Sequence, residues 1–177
     1  MSFQRENELE KENNELRRAL AAERNVLETL IDTIPHRIFV KDRQCRFTLS
    51  NKAHVKALGA HTQEEVIGKT DHDFRPADLS DFYLEDDLNV IENDSALIDY
   101  EEPTRLLSGE LGTLLISKAP LHNESGDVIG LVGISCDITD RKNAENKLRR
   151  STAIQTVLSE IADAAMSSSL QELYGKV

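Results

Sequence analysis

The sequence predicts an α+β fold, a five-stranded antiparallel sheet with short helices on one face, carried between two long helices. Three observations point there. Two short strand patterns, 38–40 and 46–50, precede a run of helical segments, and three longer strand patterns follow it. The last of these reads Val128-Ile129-Gly130-Leu131-Val132-Gly133-Ile134, a continuous apolar run of the kind found in a central strand. Finally, residues 5–34 and 141–166 are free of Gly and Pro and carry apolar residues at helical spacing.

Each element has its own signal. Residues 5–34 read as one helix that Pro35 ends. Leu9, Leu16, Leu20, Leu27, Leu30 and Ile34 fit a heptad, with Asn13 and Glu23 as polar interruptions of the kind that fix register and strand number. A thirty-residue helix spans about 45 Å and has nothing of its own to pack on, so a partner helix is expected. Ile38-Phe39-Val40 forms the first strand, 42–44 a turn, and 46–50 a second strand with Phe47 and Leu49 on one face. A short helix, 51–58, stops at Gly59. Thr62-Gln63-Glu64-Glu65 is a capping box that opens another short helix before Gly68. Pro76 introduces the longest central helix, 77–93, with Leu79, Phe82, Tyr83, Val90 and Ile91 on one side. Strands are expected at 96–102, 111–121 and 127–136. Gly130 and Gly133 in the last allow close approach of another backbone or a ligand. Thr139 is expected to cap a final helix, with Asp140 in its first turn. That helix covers 141–166, where Ile154, Leu158, Ile161 and Ala165 form a second seam. The organisation is thus an N-terminal coiled-coil helix (1–29), a core of single-domain size (30–138) and a C-terminal connector (139–177).

Charge narrows the partners. The chain has 177 residues and a net charge of −11. Between Asp71 and Glu102 there are 12 acidic residues against one basic residue, Arg75. Such a surface repels phosphate backbones and anionic headgroups, so nucleic acid is not an expected partner. Cys45 and Cys136 fit neither a disulfide framework nor a zinc motif. No apolar run reaches the roughly 18 residues of a membrane span, and the charged N-terminus is not a secretory signal. A cytoplasmic location is expected.

The strand order, the short helices and the closing Gly130-Leu131-Val132-Gly133-Ile134-Ser135-Cys136-Asp137-Ile138-Thr139-Asp140-Arg141-Lys142 resemble a PAS domain, whose last strand often ends in Asp-Ile-Thr. Gly68-Lys69-Thr70-Asp71-His72-Asp73-Phe74 is similar to the segment before the long helix in the PAS-4 branch. The resemblance covers about residues 27–143. Residues 158–173 also resemble the opening helix of a GAF domain of bacterial sensor kinases, as if a second domain began there.

The PAS resemblance implies a ligand cavity between sheet and helices. Haem-binding members carry an iron-ligating His on the long helix, and 77–93 has none. Flavin-binding light sensors carry Asn-Cys-Arg-Phe on a helix, whereas Cys45-Arg46-Phe47 opens a strand. Haem and flavin are therefore disfavoured, and the cofactor is left unknown. His54, His72 and Phe74 are the cavity candidates, His72 at the cavity mouth. Asp71-His72-Asp73 cannot converge on one ion, so no metal site is expected. No nucleophile motif or phosphate loop is present, and neither flanking helix carries a phosphoacceptor His before an acidic residue. The chain is read as no enzyme, any histidine kinase activity belonging to sequence beyond it. The expected function is sensory. A small molecule or partner is received, and the shift is relayed through Asp137, Ile138 and Thr139 to a dimeric coiled coil and an output domain, as in a two-component sensor kinase. The alternative is a ligand-free dimerisation module. Asp137, a charge directly after an apolar strand, is expected to have a basic or amide partner.

Overall fold

The structure, a computed structural model, describes residues 2–174. Its elements are α1 (Ser2–Thr33), β1 (Arg37–Asp42), β2 (Phe47–Ser50), α2 (Lys52–Ala57), a 3-10 turn (Asp71–Asp73), α3 (Ala77–Glu92), β3 (Leu97–Arg105), β4 (Leu111–His122), β5 (Val128–Asp137) and α4 (Thr139–Tyr174). The chain forms two compact units that part after Asp137.

All strand pairings are antiparallel, in the order β2-β1-β5-β4-β3. The apolar run of β5 therefore lies at the centre, between β1 and β4. Its glycines are there for contact. A Cβ on Gly130 would collide with the Lys41 carbonyl, and one on Gly133 would enter the Phe39 ring. The helices cover the inner face, where Phe39, Phe47, Val55, Val66, Val90, Ile91, Ile116 and Leu131 form the core. The outer face carries Ile38, Ile98, Val132 and Ile134 around a shallow apolar groove. Ile134 there is 40 % exposed and Ile98 63 %.

Several expectations are corrected. Phe47 and Leu49 do not share a face. A bulge at the β1–β2 pairing sets Phe47 opposite inward Lys41 and Leu49 opposite outward Val40. Residues 62–68 form turns, not a helix. The segment is too short to repay helix nucleation, and the Gln63 side chain instead accepts from the Ser50 amide at 3.0 Å. Strand β3 continues past Pro103 to Arg105, because β3 is an edge strand and tolerates a residue without an N–H. Helix α4 begins at Thr139. The Ile138 carbonyl accepts from the Lys142 amide at 2.9 Å, the first intrahelical bond, so Ile138 holds the cap position and Thr139 the first helical one. The same helix runs unbroken through 158–173 to Tyr174. The seam residues Leu9, Leu16, Leu20, Leu27 and Leu30 of α1 are all exposed, as are Ile154, Leu158 and Ile161 of α4. Ala165 of the second seam and the side chains of 167–173 lie outside the described residues. Among the described residues no helix is long and apolar enough to cross a membrane.

Candidate functional site

On the inner face of the sheet, charged side chains are set among apolar ones. On β1 the inward residues are Arg37, Phe39 and Lys41, and on β4 they are Leu114, Ile116 and Lys118. Helix α3 faces them with Ser80, Tyr83, Asp87, Val90 and Ile91, spaced at three and four. Asp87 therefore stands in the apolar stripe and is fully buried. One of its oxygens holds Lys41 Nζ. The other lies 2.8 Å from Lys118 Nζ, close but poorly aligned for a hydrogen bond. Lys41 also bonds Asp71 at 2.5 Å, and its ammonium sits 4.8 Å from the Phe47 ring centroid. Lys118 reaches Glu102 only at 3.7 Å, and Glu102 Oε2 has no hydrogen-bond partner.

Burying charge costs several kcal/mol per ion unless each is paired. Lys41 meets that condition. Burial pulls its pKa down, but Asp71 and Asp87 more than offset this and the net shift is upward. Glu102 does not. Burial pushes it up to about 7, Lys118 opposes this, and Asp86, Asp87 and Asp71 add to it. His54 is driven down to about 3 by burial and by Lys41, Arg75 and Arg37, so it is neutral. Its ring bonds Ser50 Oγ at 2.9 Å and packs on Phe39 and Phe47, with centroids 4.9 and 5.1 Å away.

These side chains line a cavity of about 30 Å³, with the aromatic Phe39, Phe47, His54 and Tyr83 and the charged Lys41, Asp71, Glu102 and Lys118 in its wall. That volume takes a few water-sized groups. The lining suits a compact polar molecule with hydrogen-bonding groups of both kinds.

The expected site residues separate. His54 lines the cavity. His72 is exposed, bonded to Asp81 Oδ1 at 2.8 Å, and is not one of the residues lining the cavity. Phe74 is half-buried outside the cavity lining, its ring edge-on to Phe47 at 6.4 Å. The triplet 71–73 points three ways: Asp71 to Lys41, His72 to Asp81, and Asp73 back to the Thr70 amide at 2.8 Å. At the end of β5, Asp137 takes Arg37 Nη2 at 3.2 Å as a partner, the basic side chain expected of it. Arg37 is also part of the cavity wall.

Sequence reading missed Lys41, Asp87, Glu102 and Lys118, and it missed Asn51 as more than a helix start. Asn51 is buried. Its Oδ1 accepts from the amides of Ile38 and His54 at 2.9 and 3.0 Å. Its Nδ2 donates to the carbonyls of Ile31 and His36 at 2.8 and 2.9 Å. One side chain thus caps α2 and ties the end of α1 to β1. The available signals were a charged residue at a core-facing step in α3 and another in the alternation of β4.

A family model described as PAS fold matches residues 31–143. A diguanylate cyclase of Vibrio cholerae is 35 % identical over 104 residues, 58 % of this chain and 32 % of that protein. The methanogenesis regulatory histidine kinase FilI of Methanothrix harundinacea is 29 % identical over 151 residues, 85 % of this chain and 16 % of that protein. The chain therefore spans less than a third of either relative. The PAS domain of a Colwellia psychrerythraea protein superposes with a TM-score of 0.55 at 21 % identity, covering 68 % of this chain and 98 % of that one. The family match ends at residue 143, and the likeness of 158–173 to a GAF opening finds no support.

Proposed function

Because the chain belongs to the PAS fold family, a family of sensory signalling modules, we propose that it reads a compact polar ligand in the ionic cavity and passes the change to α4 through the end of β5. The observation that carries this reading is Arg37. It walls the cavity and pairs with Asp137, the last residue of the central strand. A ligand that favours one arrangement of the wall shifts the populations of two states, and needs only a few kcal/mol of differential affinity to do so. Asp137, Ile138 and Thr139 form the relay, since strand becomes helix there within two residues. The output domain, cyclase or kinase as in the relatives, belongs to a larger protein, and no catalysis is assigned to this segment.

Two measurements test the reading. Native mass spectrometry of the purified chain reports a bound small molecule directly. Hydrogen exchange then tests the relay: Arg37→Ala is expected to speed exchange over 138–142 by up to about fivefold, the equivalent of an ion pair of about 1 kcal/mol. Unchanged exchange there would remove Arg37–Asp137 from the route.

A second reading, a ligand-free dimerisation module, is favoured by the five exposed leucines of α1. Whichever reading holds, we propose a parallel homodimer through α1. A chain beginning at Val26 keeps the Ile31 and Asp32 contacts to the core but loses Leu9, Leu16 and Leu20. Sedimentation equilibrium is expected to show dimerisation weakened by about tenfold or more, since one buried leucine alone is worth at least that. Undiminished dimerisation would place the interface on the exposed sheet face or on the α4 seam.

A further inference from the structure

We propose that the Glu102 carboxyl is a reversible proton-binding site, and that its protonation state decides whether Lys118 ties β4 to α3 or to β3. The geometry points to a competition for one ammonium. Lys118 Nζ stands 2.8 Å from Asp87 on α3 and 3.7 Å from Glu102 on β3. Glu102 is 2 % exposed and lines the cavity, and its Oε2 has no hydrogen-bond partner. A neutral carboxyl is tolerated in that position. An ionised one is a buried anion without adequate compensation, and the nearest available cation is Lys118. When the proton leaves to solvent, Lys118 is drawn from Asp87 towards Glu102. When it returns, Lys118 reverts to Asp87.

The groups around Glu102 set the balance. Lys118 on β4 favours the anion. Asp86 and Asp87 on α3 and Asp71 in the 3-10 turn oppose it. Tyr83 on α3, Lys41 and Arg37 on β1, Arg75 and neutral His54 complete the titratable and charged lining of the cavity. Asp87 and Asp71 are already engaged with Lys41. The result is a carboxyl whose pKa rises to about 7, from 4.5 for an ordinary glutamate. The site also lies in a direct line with the relay. Glu102 pairs with Leu114, and Leu114 with Asp137, so the three form one transverse row across β3, β4 and β5.

The consequence for output rests on the sensory reading above, but proton binding itself does not, and both can be measured on the chain with no ligand added. Carbon-13 NMR of glutamate-labelled chain is expected to show one carboxyl titrating near pH 7, absent from Glu102→Gln. Asp86→Asn is expected to lower its midpoint, because a like charge is removed. Folded Glu102 binds its proton more tightly than unfolded Glu102. Wild type is therefore expected to lose stability relative to Glu102→Gln as pH rises from about 4.5 to about 7, with no further loss above. Between about pH 6 and pH 8, amide exchange along the 102–114–137 row is expected to change several-fold beyond the intrinsic trend, in wild type only. A midpoint in the ordinary glutamate range, or row exchange that is the same in wild type and Glu102→Gln, overturns the proposal. A titrating Glu102 in a chain that carries no small molecule leaves the proton site standing and removes only the ligand reading.

Discussion

Asp87→Ala is expected to destabilise the core by about 3–5 kcal/mol, the cost of breaking a buried ion pair from one side. Asp87 is fully buried and serves two lysines on two strands, Lys41 on β1 and Lys118 on β4. Its removal leaves Lys41 with Asp71 alone. It leaves Lys118 with Glu102 at 3.7 Å as its nearest carboxylate. Neither ammonium has a route to solvent, since both residues are no more than 3 % exposed. Urea unfolding is the measurement, and the midpoint is expected to fall with m unchanged. A loss below about 1 kcal/mol would mean that the lysines rearrange to water, and the cluster would then not be a structural element. Asp71→Asn is expected to cost less, because Asp71 lies at the edge of the cluster and Lys41 keeps Asp87. The same Asp87 variant bears on Glu102. Freed from Asp87, Lys118 compensates Glu102 fully, so the neutral-range titration is expected to move towards the ordinary glutamate value.

The fold was legible because its signals are local. Pro35, Gly59 and Pro76 divide the chain, and the apolar run of β5 marks the central strand. The boundaries that failed depend on neighbours. Pro103 ends a strand only where its missing N–H matters, and β3 is an edge. The pairing of Phe47 and Leu49 changes face through a bulge that no alternation announces. The ionic site was illegible for a related reason. The acidic run from Asp71 to Glu102 reads as solvated surface, yet Asp71, Asp87 and Glu102 of that run point inward. What distinguishes them is the lysine opposite, and Lys41 and Lys118 lie on other elements, beyond the reach of any local pattern. Asp137 shows the converse. Its need for a partner follows from its place after an apolar strand, but that the partner is Arg37 depends on β1 lying beside β5.

Asn51 is the position where the incoming helix meets the core, and its substitution separates two roles. Asn51→Ala removes an N-cap acceptor, typically worth about 1 kcal/mol. It also strands the Ile38 amide and the carbonyls of Ile31 and His36, at about 1–3 kcal/mol for a buried group left unsatisfied. A total of about 3 kcal/mol is expected by urea unfolding. Asn51→Asp keeps Oδ1, and with it the cap on His54 and the bond from Ile38. It loses the Nδ2 donor and sets a carboxylate against two carbonyl oxygens. Hydrogen exchange is therefore expected to divide the variants. Both raise exchange in the last turns of α1, residues 27–33, while only the Ala variant also raises it in α2. If α1 carries the dimer contact, both variants uncouple the dimer from the core without touching either the leucine seam or the cavity. Ligand occupancy and dimer affinity are then expected to stay near wild type while the exchange pattern changes between them. Equal protection of 27–33 in wild type and Asn51→Asp would show that the Asp32–Lys52 contacts hold α1 by themselves, and would move the joint from Asn51 to that pair.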